Sequence, residues 1–195
     1  MKVLARLAGV LLLCAGMVGC ATNAPNYNSD FGNIGKLRDA GLAPVRIGEV
    51  TKVEKAKPDV DSLTIRGGKY KSPYGSFTAF LQEALRQEFG DARLIDPASN
   101  VEISGLLLKN VLDASGFSTA FAEMEARLTV KRRDQVVYDE TKTARTEWGS
   151  SFVGAIAIPR ANQTYPTVIQ KLLGQFYDDP KFIGALKPGT AGATE

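Results

Sequence analysis

From Ala120 to Lys131 every second residue of the first set is apolar: Ala120, Ala122, Met124, Ala126, Leu128 and Val130 alternate with Glu123, Glu125, Arg127, Thr129 and Lys131. Period two over that length predicts one long strand with a buried and a solvated side. Its neighbours read the same way. Val101–Leu112 precedes it, with Leu106-Leu107-Leu108 read as a stretch buried on both faces, and Asp113-Ala-Ser-Gly116 turns the chain. Arg133-Asp134 is a tight hairpin turn into a strand from Gln135 to Glu147, where Val136, Tyr138 and Glu140 oppose Val137, Asp139 and Thr141. The expectation is a three-stranded antiparallel meander whose apolar side must be covered.

Two amphipathic helices can cover it. Phe77, Phe80, Leu81, Ala84, Leu85 and Phe89 recur at helical spacing after Ser72-Pro73, which reads as cap and first residue, and Gly90 reads as the terminator. Tyr165, Val168, Ile169, Leu172, Leu173 and Phe176 form a second such stripe over Gln163–Phe176, with Pro166 in its first turn. A last short helical turn starts at Asp179-Pro180 and carries Phe182, Ile183 and Leu186. Short strands are expected at Val45–Val50, Asp61–Arg66 and Ala92–Ile95, with a charged loop at Lys52–Pro58. The fold expected for residues 45–186 is α+β: a two-layer sandwich, mostly antiparallel, with both amphipathic helices on one face.

The N-terminus has another character. Lys2 and Arg6 precede an apolar run, Leu7–Val18, too short to span a bilayer comfortably, and the small residues Gly16 and Gly19 lie near Cys20. This is secretory-signal anatomy, which makes residues 1–19 a signal peptide cut between Gly19 and Cys20. The run Met17-Val18-Gly19-Cys20 resembles the bacterial lipobox, with Met17 where leucine is preferred. That resemblance implies a lipid on Cys20, an anchored domain facing the periplasm and, with Ala21 rather than aspartate next, the outer membrane. Residues 20–44, rich in Asn, Gly and Pro, read as a flexible tether in which only Ile34-Gly-Lys-Leu37 has the pattern to dock. Residues 187–195 read as a disordered tail.

Composition removes several kinds of chemistry. The chain has no histidine and two cysteines, of which Cys14 leaves with the signal and Cys20 is taken by lipid. Nucleophiles relying on a histidine base, and zinc sites of the usual Cys/His kind, are therefore not expected. Residues 1–19 hold two of the 24 basic residues and no acidic ones, leaving 22 against 21. So balanced a charge gives no footprint for nucleic acid. The reading is a non-enzymatic domain with no cofactor and no metal.

Two candidate sites remain. Glu123 and Glu125, two apart on a strand, share a face and could form a hydrolytic pair, though beside Arg127 they read as an ordinary solvated surface. Trp148, Phe152, Val153, Ile156 and Ile158 lie in a run broken by Gly149, Gly154 and Pro159. That run reads as a loop or short strand folded back on the sheet, or else as an exposed contact loop for a protein partner or an acyl chain.

The element order behind the lipobox, together with Phe77–Phe89, the following Ala-Arg-Leu-Ile-Asp, Val101-Glu-Ile-Ser-Gly-Leu-Leu107 and Asp179-Pro-Lys-Phe-Ile183, resembles the YajG-like periplasmic lipoproteins. The auxiliary lipoproteins of ABC transporters and the LptE fold are similar more loosely. The resemblance covers roughly residues 45 to 186 and implies a non-catalytic subunit in envelope transport or assembly, bound to an envelope protein. A carrier of lipid or another apolar ligand, held between sheet and helices, is the alternative.

Overall fold

A computed structural model of the chain describes residues 21–54 and 58–189. Residues 1–20, which hold the expected signal peptide and lipidated cysteine, lie outside the described residues. At the centre is the meander: β5 (Val101–Asp113), β6 (Thr119–Arg132) and β7 (Gln135–Gly149), with β2 (Arg46–Lys52) added parallel to β5. Two of the three pairings in this four-stranded sheet are antiparallel. A second sheet is ordered β1-β4-β3, from β1 (Thr22–Asn23), β3 (Leu63–Ile65) and β4 (Gly68–Lys71). The fold is α+β, as the sequence pattern predicts.

Alternation sets the buried face. Ala120, Ala122, Met124, Ala126, Leu128 and Val130 are all fully buried. Register in β5 is kept by a bulge: Leu107 faces Ala126 and Lys109 faces Glu125, so Leu108 is the extra residue. Val101, Ile103 and Leu107 point inward before it, Asn110 and Leu112 after it. The leucine triplet is thus not buried on both faces; only Leu107 is fully buried, and its neighbours are half-exposed.

Helix α2 (Phe77–Asp91) covers the β2 side of the sheet, and α4 (Pro166–Tyr177) covers the β6–β7 side. Phe80, Leu81, Leu85, Phe89, Val168, Ile169, Leu172, Leu173 and Phe176 fill the space between the layers. Each contributes about 1.5–3 kcal/mol by leaving water.

The boundaries of α2 differ from expectation for local reasons. Ser72-Pro73-Tyr74-Gly75 forms a turn, with the Gly75 amide on the Ser72 carbonyl at 3.4 Å and Gly75 at φ 90°, outside any helix. Ser76 is the cap instead, its hydroxyl accepting from the Ala79 amide at 3.0 Å. At the other end Gly90 stays helical and Arg93 takes the left-handed conformation (φ 62°). The Arg93 amide donates to the Gly90 carbonyl and the Leu94 amide to that of Phe89, both at 2.8 Å, a Schellman motif. Ile95 forms only an isolated bridge with Val45, not a strand.

Two further segments read as irregular are helical. Gly154–Thr164 is α3, with Pro159 inside it and Ala157 and Ala161 packed inward. Tyr165, at helical dihedrals, joins it to α4, so Pro166 breaks a nearly continuous helix. The expected tether is also structured. Asp30 caps α1 (Phe31–Asp39), on which Ile34 and Leu37 are buried, and Ala24 and Tyr27 are buried before it. Helix α5 (Pro180–Leu186) is the last helix among the described residues, and Lys187 is held by Arg132 Nη2 on its carbonyl at 2.6 Å. Residues 190–195 of the expected tail lie outside the described residues.

The packed N-terminal segment is fastened by a buried carboxylate. Glu88, with no exposed surface, accepts from Tyr27 Oη at 2.6 Å, from Asn33 Nδ2 at 3.2 Å and from the Asp30 amide at 3.3 Å. Burial pushes its carboxyl above the ordinary range despite these donors. Tyr177 Oη is also buried, beside the Glu88 carboxylate, and burial pushes its phenol up. A second polar node joins the layers: Asn110 accepts from Tyr165 Oη at 2.8 Å and donates to the Val60 carbonyl at 2.9 Å.

Candidate functional site

The outer face of the four-stranded sheet is a field of ion pairs. Arg46 pairs with Glu102, Arg127 with Asp139, and Lys109 and Arg145 both with Glu123. Arg145 also reaches Glu147 at 2.7 Å, and its guanidinium lies 3.6 Å from the centre of the Phe121 ring. Glu123 is therefore no poised acid: its hydrogen bond from Lys109, then that from Arg145, hold its carboxyl below the usual range. Glu123 and Glu125 lie on the sheet's outer face, which is not a cleft. Among the described residues no group of three or more carboxylates, cysteines or histidines is placed to hold a metal ion.

Among the described residues, the side chains named above are fully buried between the layers, where an apolar ligand would have to lie. Open grooves occur on the surface. One of about 470 Å³ runs between α1, α4 and β7 and is lined by polar groups, including Asn33, Lys36, Gln170 and Asp178. Another of about 400 Å³ lies by Arg46, Arg86 and Ile95.

The five residues of the expected contact loop divide into two kinds. Trp148 stands opposite Ala120 in the ladder and so points to the inward face, where it packs against the core; Ile158 on α3 packs there too. Phe152, Val153 and Ile156 do not: they are 70%, 49% and 49% exposed. Phe152 stacks on Phe117, itself 78% exposed, with ring centres 5.8 Å apart and planes 6° from parallel. Two loops thus build one apolar knob at the end of the sheet where β5 turns into β6 and β7 leads into α3. Sequence reasoning missed Phe117. The available signal was a lone large aromatic in the small, polar stretch Asp113–Ser118.

The knob is held from below. The two-residue turn between β3 and β4 consists of Arg66 (φ 50°) and Gly67 (φ 79°), a type I′ geometry. Arg66 Nη2 donates to the Gly116 carbonyl at 3.2 Å and to the Ser151 carbonyl at 2.5 Å, one loop each. Glycine is required at 116, since a Cβ there would collide with the Thr119 carbonyl oxygen. Phe117 and Phe152 follow directly after the two clasped carbonyls, which fixes both rings to the β3–β4 turn.

No protein-family model matches the chain, and no curated protein matches it. Solved structures do. A Xanthomonas campestris protein of the family DUF330 is similar with a TM-score of 0.52 at 14% identity, over 82% of this chain and 95% of that one. A candidate lipoprotein from Caulobacter crescentus gives 0.45 at 14% identity, over 81% and 99%. A minor lipoprotein from Acinetobacter baumannii gives 0.42 at 10%, over 76% and 98%. At such identities the first likeness concerns the fold alone.

Proposed function

We propose that this chain is a lipid-anchored, non-enzymatic domain of the bacterial envelope, held at the outer membrane through acylated Cys20 and acting as a protein-binding or auxiliary subunit in envelope transport or assembly. One observation carries the reading: the lipobox-like Met17-Val-Gly-Cys20 runs straight into a folded domain whose first strand begins at Thr22. The arrangement of charges supports it, because the carboxylate that sequence singled out, Glu123, is neutralised on an open surface rather than gathered in a cleft. The filled interlayer space favours this reading over that of a carrier.

Anchoring follows from hydrocarbon burial. Each buried methylene adds about 0.8 kcal/mol, and two or more chains make release negligible. Expression in a Gram-negative host should give an intact mass carrying a diacylglyceryl group on Cys20 and recovery with outer membranes. Cys20→Ala should leave unprocessed or soluble protein. A Cys20→Ala variant that still fractionates with outer membranes through detergent-free washes, or an unmodified N-terminus on the wild type, refutes the anchor. Cross-linked cells returning no envelope protein above background refute the partner.

A further inference from the structure

We infer that the Phe117–Phe152 knob, with Val153 and Ile156, is a membrane-contacting surface that inserts into the same bilayer that holds the lipid on Cys20. The inference rests on the anchoring reading above and adds the orientation of the domain.

The argument starts from covalent reach. Cys20 is two residues ahead of Thr22, and two residues span at most about 7 Å. A chain disordered through residue 44 would let the domain stand tens of ångströms away, but here the segment is folded from Thr22 onward. An acyl group on Cys20 therefore obliges the surface around Thr22 to lie against the headgroups.

Strand register identifies that surface. β1 runs parallel to β4, with Thr22 opposite Tyr70 and Asn23 opposite Lys71. The chain thus enters β1 from the Gly68 end of β4, which is the end at the Arg66-Gly67 turn. Arg66 clasps the loops bearing Phe117 and Phe152. From Thr22 to the knob is about 15–20 Å by strand rise and one arginine side chain. Anchor and knob consequently share one end of the molecule.

The knob has the chemistry for that position. Its aromatic rings are stacked, exposed and backed by a rigid clasp, so little conformational freedom is lost on insertion. Exposed cations, Lys69 on β4 and Arg160 bonded to the Gly149 carbonyl at 2.9 Å, lie around the same end. They suit anionic headgroups. The far end of the meander, at Val136 and Val137, is more than ten residues of strand away.

The test uses the mature, full-length protein in vesicles of phosphatidylethanolamine and phosphatidylglycerol containing lipids brominated on their acyl chains. Single variants Phe117→Cys, Phe152→Cys and Val137→Cys carry a bimane label, Cys14 being lost with the signal and Cys20 blocked by lipid. Quenching at 117 and 152 should exceed that at 137 by at least about two-fold, since exposed rings of this size favour the apolar phase. Equal quenching at the three positions overturns the inference. So does a photo-crosslinker at 152 that captures protein in preference to lipid in cells, which would make the knob a protein interface. Intact mass of the same sample reports acylation separately. Acylated chains with unquenched probes leave the anchor standing without the knob; unacylated chains that are still quenched on mixing leave the knob standing without the anchor.

Discussion

Removing the Glu88 carboxylate should release the N-terminal segment from the rest of the fold. In Glu88→Ala, Tyr27 Oη and the Asp30 amide lose their acceptor, whereas Asn33 Nδ2 keeps the Gln170 carbonyl at 2.9 Å. Each stranded buried donor costs about 1–3 kcal/mol. The truncated methylenes and the space they leave add about 1 kcal/mol, and relief from burying a carboxylate gives some of this back. The expected loss is about 3–4 kcal/mol. Glu88→Gln keeps an oxygen for Tyr27 and should lose about 1 kcal/mol. The two variants separate further by pH. Burial raises the folded pKa of Glu88 above its ordinary 4.5, so the native state binds more protons than the unfolded chain between the two values. Stability therefore falls as pH rises through the folded pKa and is flat above it. Urea unfolding followed by circular dichroism should show the wild type gaining stability as pH falls towards the ordinary 4.5, and Glu88→Gln should lack that gain. Limited proteolysis of Glu88→Ala should cut first within residues 21–44. A loss under about 1 kcal/mol with unchanged proteolysis, or a wild-type pH slope in Glu88→Gln, would refute the reasoning.

Other substitutions test separate parts of the structure. Tyr177→Phe removes a buried hydroxyl that lies beside Glu88 outside good hydrogen-bond geometry, so unfolding should shift by about 1 kcal/mol or less. Arg66→Ala deletes both clasping hydrogen bonds and should cost about 2 kcal/mol, with hydrogen exchange accelerated at 114–118 and 150–153 while β5–β7 stay protected. Burial works against the charge of Asp179, yet Lys142, the Lys181 amide and Tyr138 hold its pKa down at about 2. Its contribution is present above the ordinary 3.8 and lost as pH falls towards 2, so Asp179→Asn should flatten acid unfolding in that window by about 1–2 kcal/mol.

What the sequence determined by itself is whatever repeats with a period. The meander and the stripes of α2 and α4 were legible because burial of one side imposes alternation or helical spacing over ten or more residues. The Arg133-Asp134 hairpin was legible because little else fits between two such runs. Local chemistry fixed less than it suggested. Ser72-Pro73 has the composition of a helix start, but Gly75 at φ 90° cannot be helical, and Asp61, from an earlier strand's approach, accepts from the Phe77 and Thr78 amides to place the start at Ser76. Gly154 and Pro159 looked like breakers, yet α3 forms because Ala157 and Ala161 bury against the core. The Asn- and Gly-rich stretch after Cys20 carries no periodic signal; Tyr27 and Asn33 are held by Glu88, some sixty residues away, and only the folded chain brings them together. The apolar knob was half visible as Phe152, Val153 and Ile156. Its other half, Phe117, comes from a loop that nothing local ties to them, and the arginine that holds both loops belongs to a third turn. Spacing along the chain reports which side of an element is buried; it does not report which distant loops an interaction across the fold will place side by side.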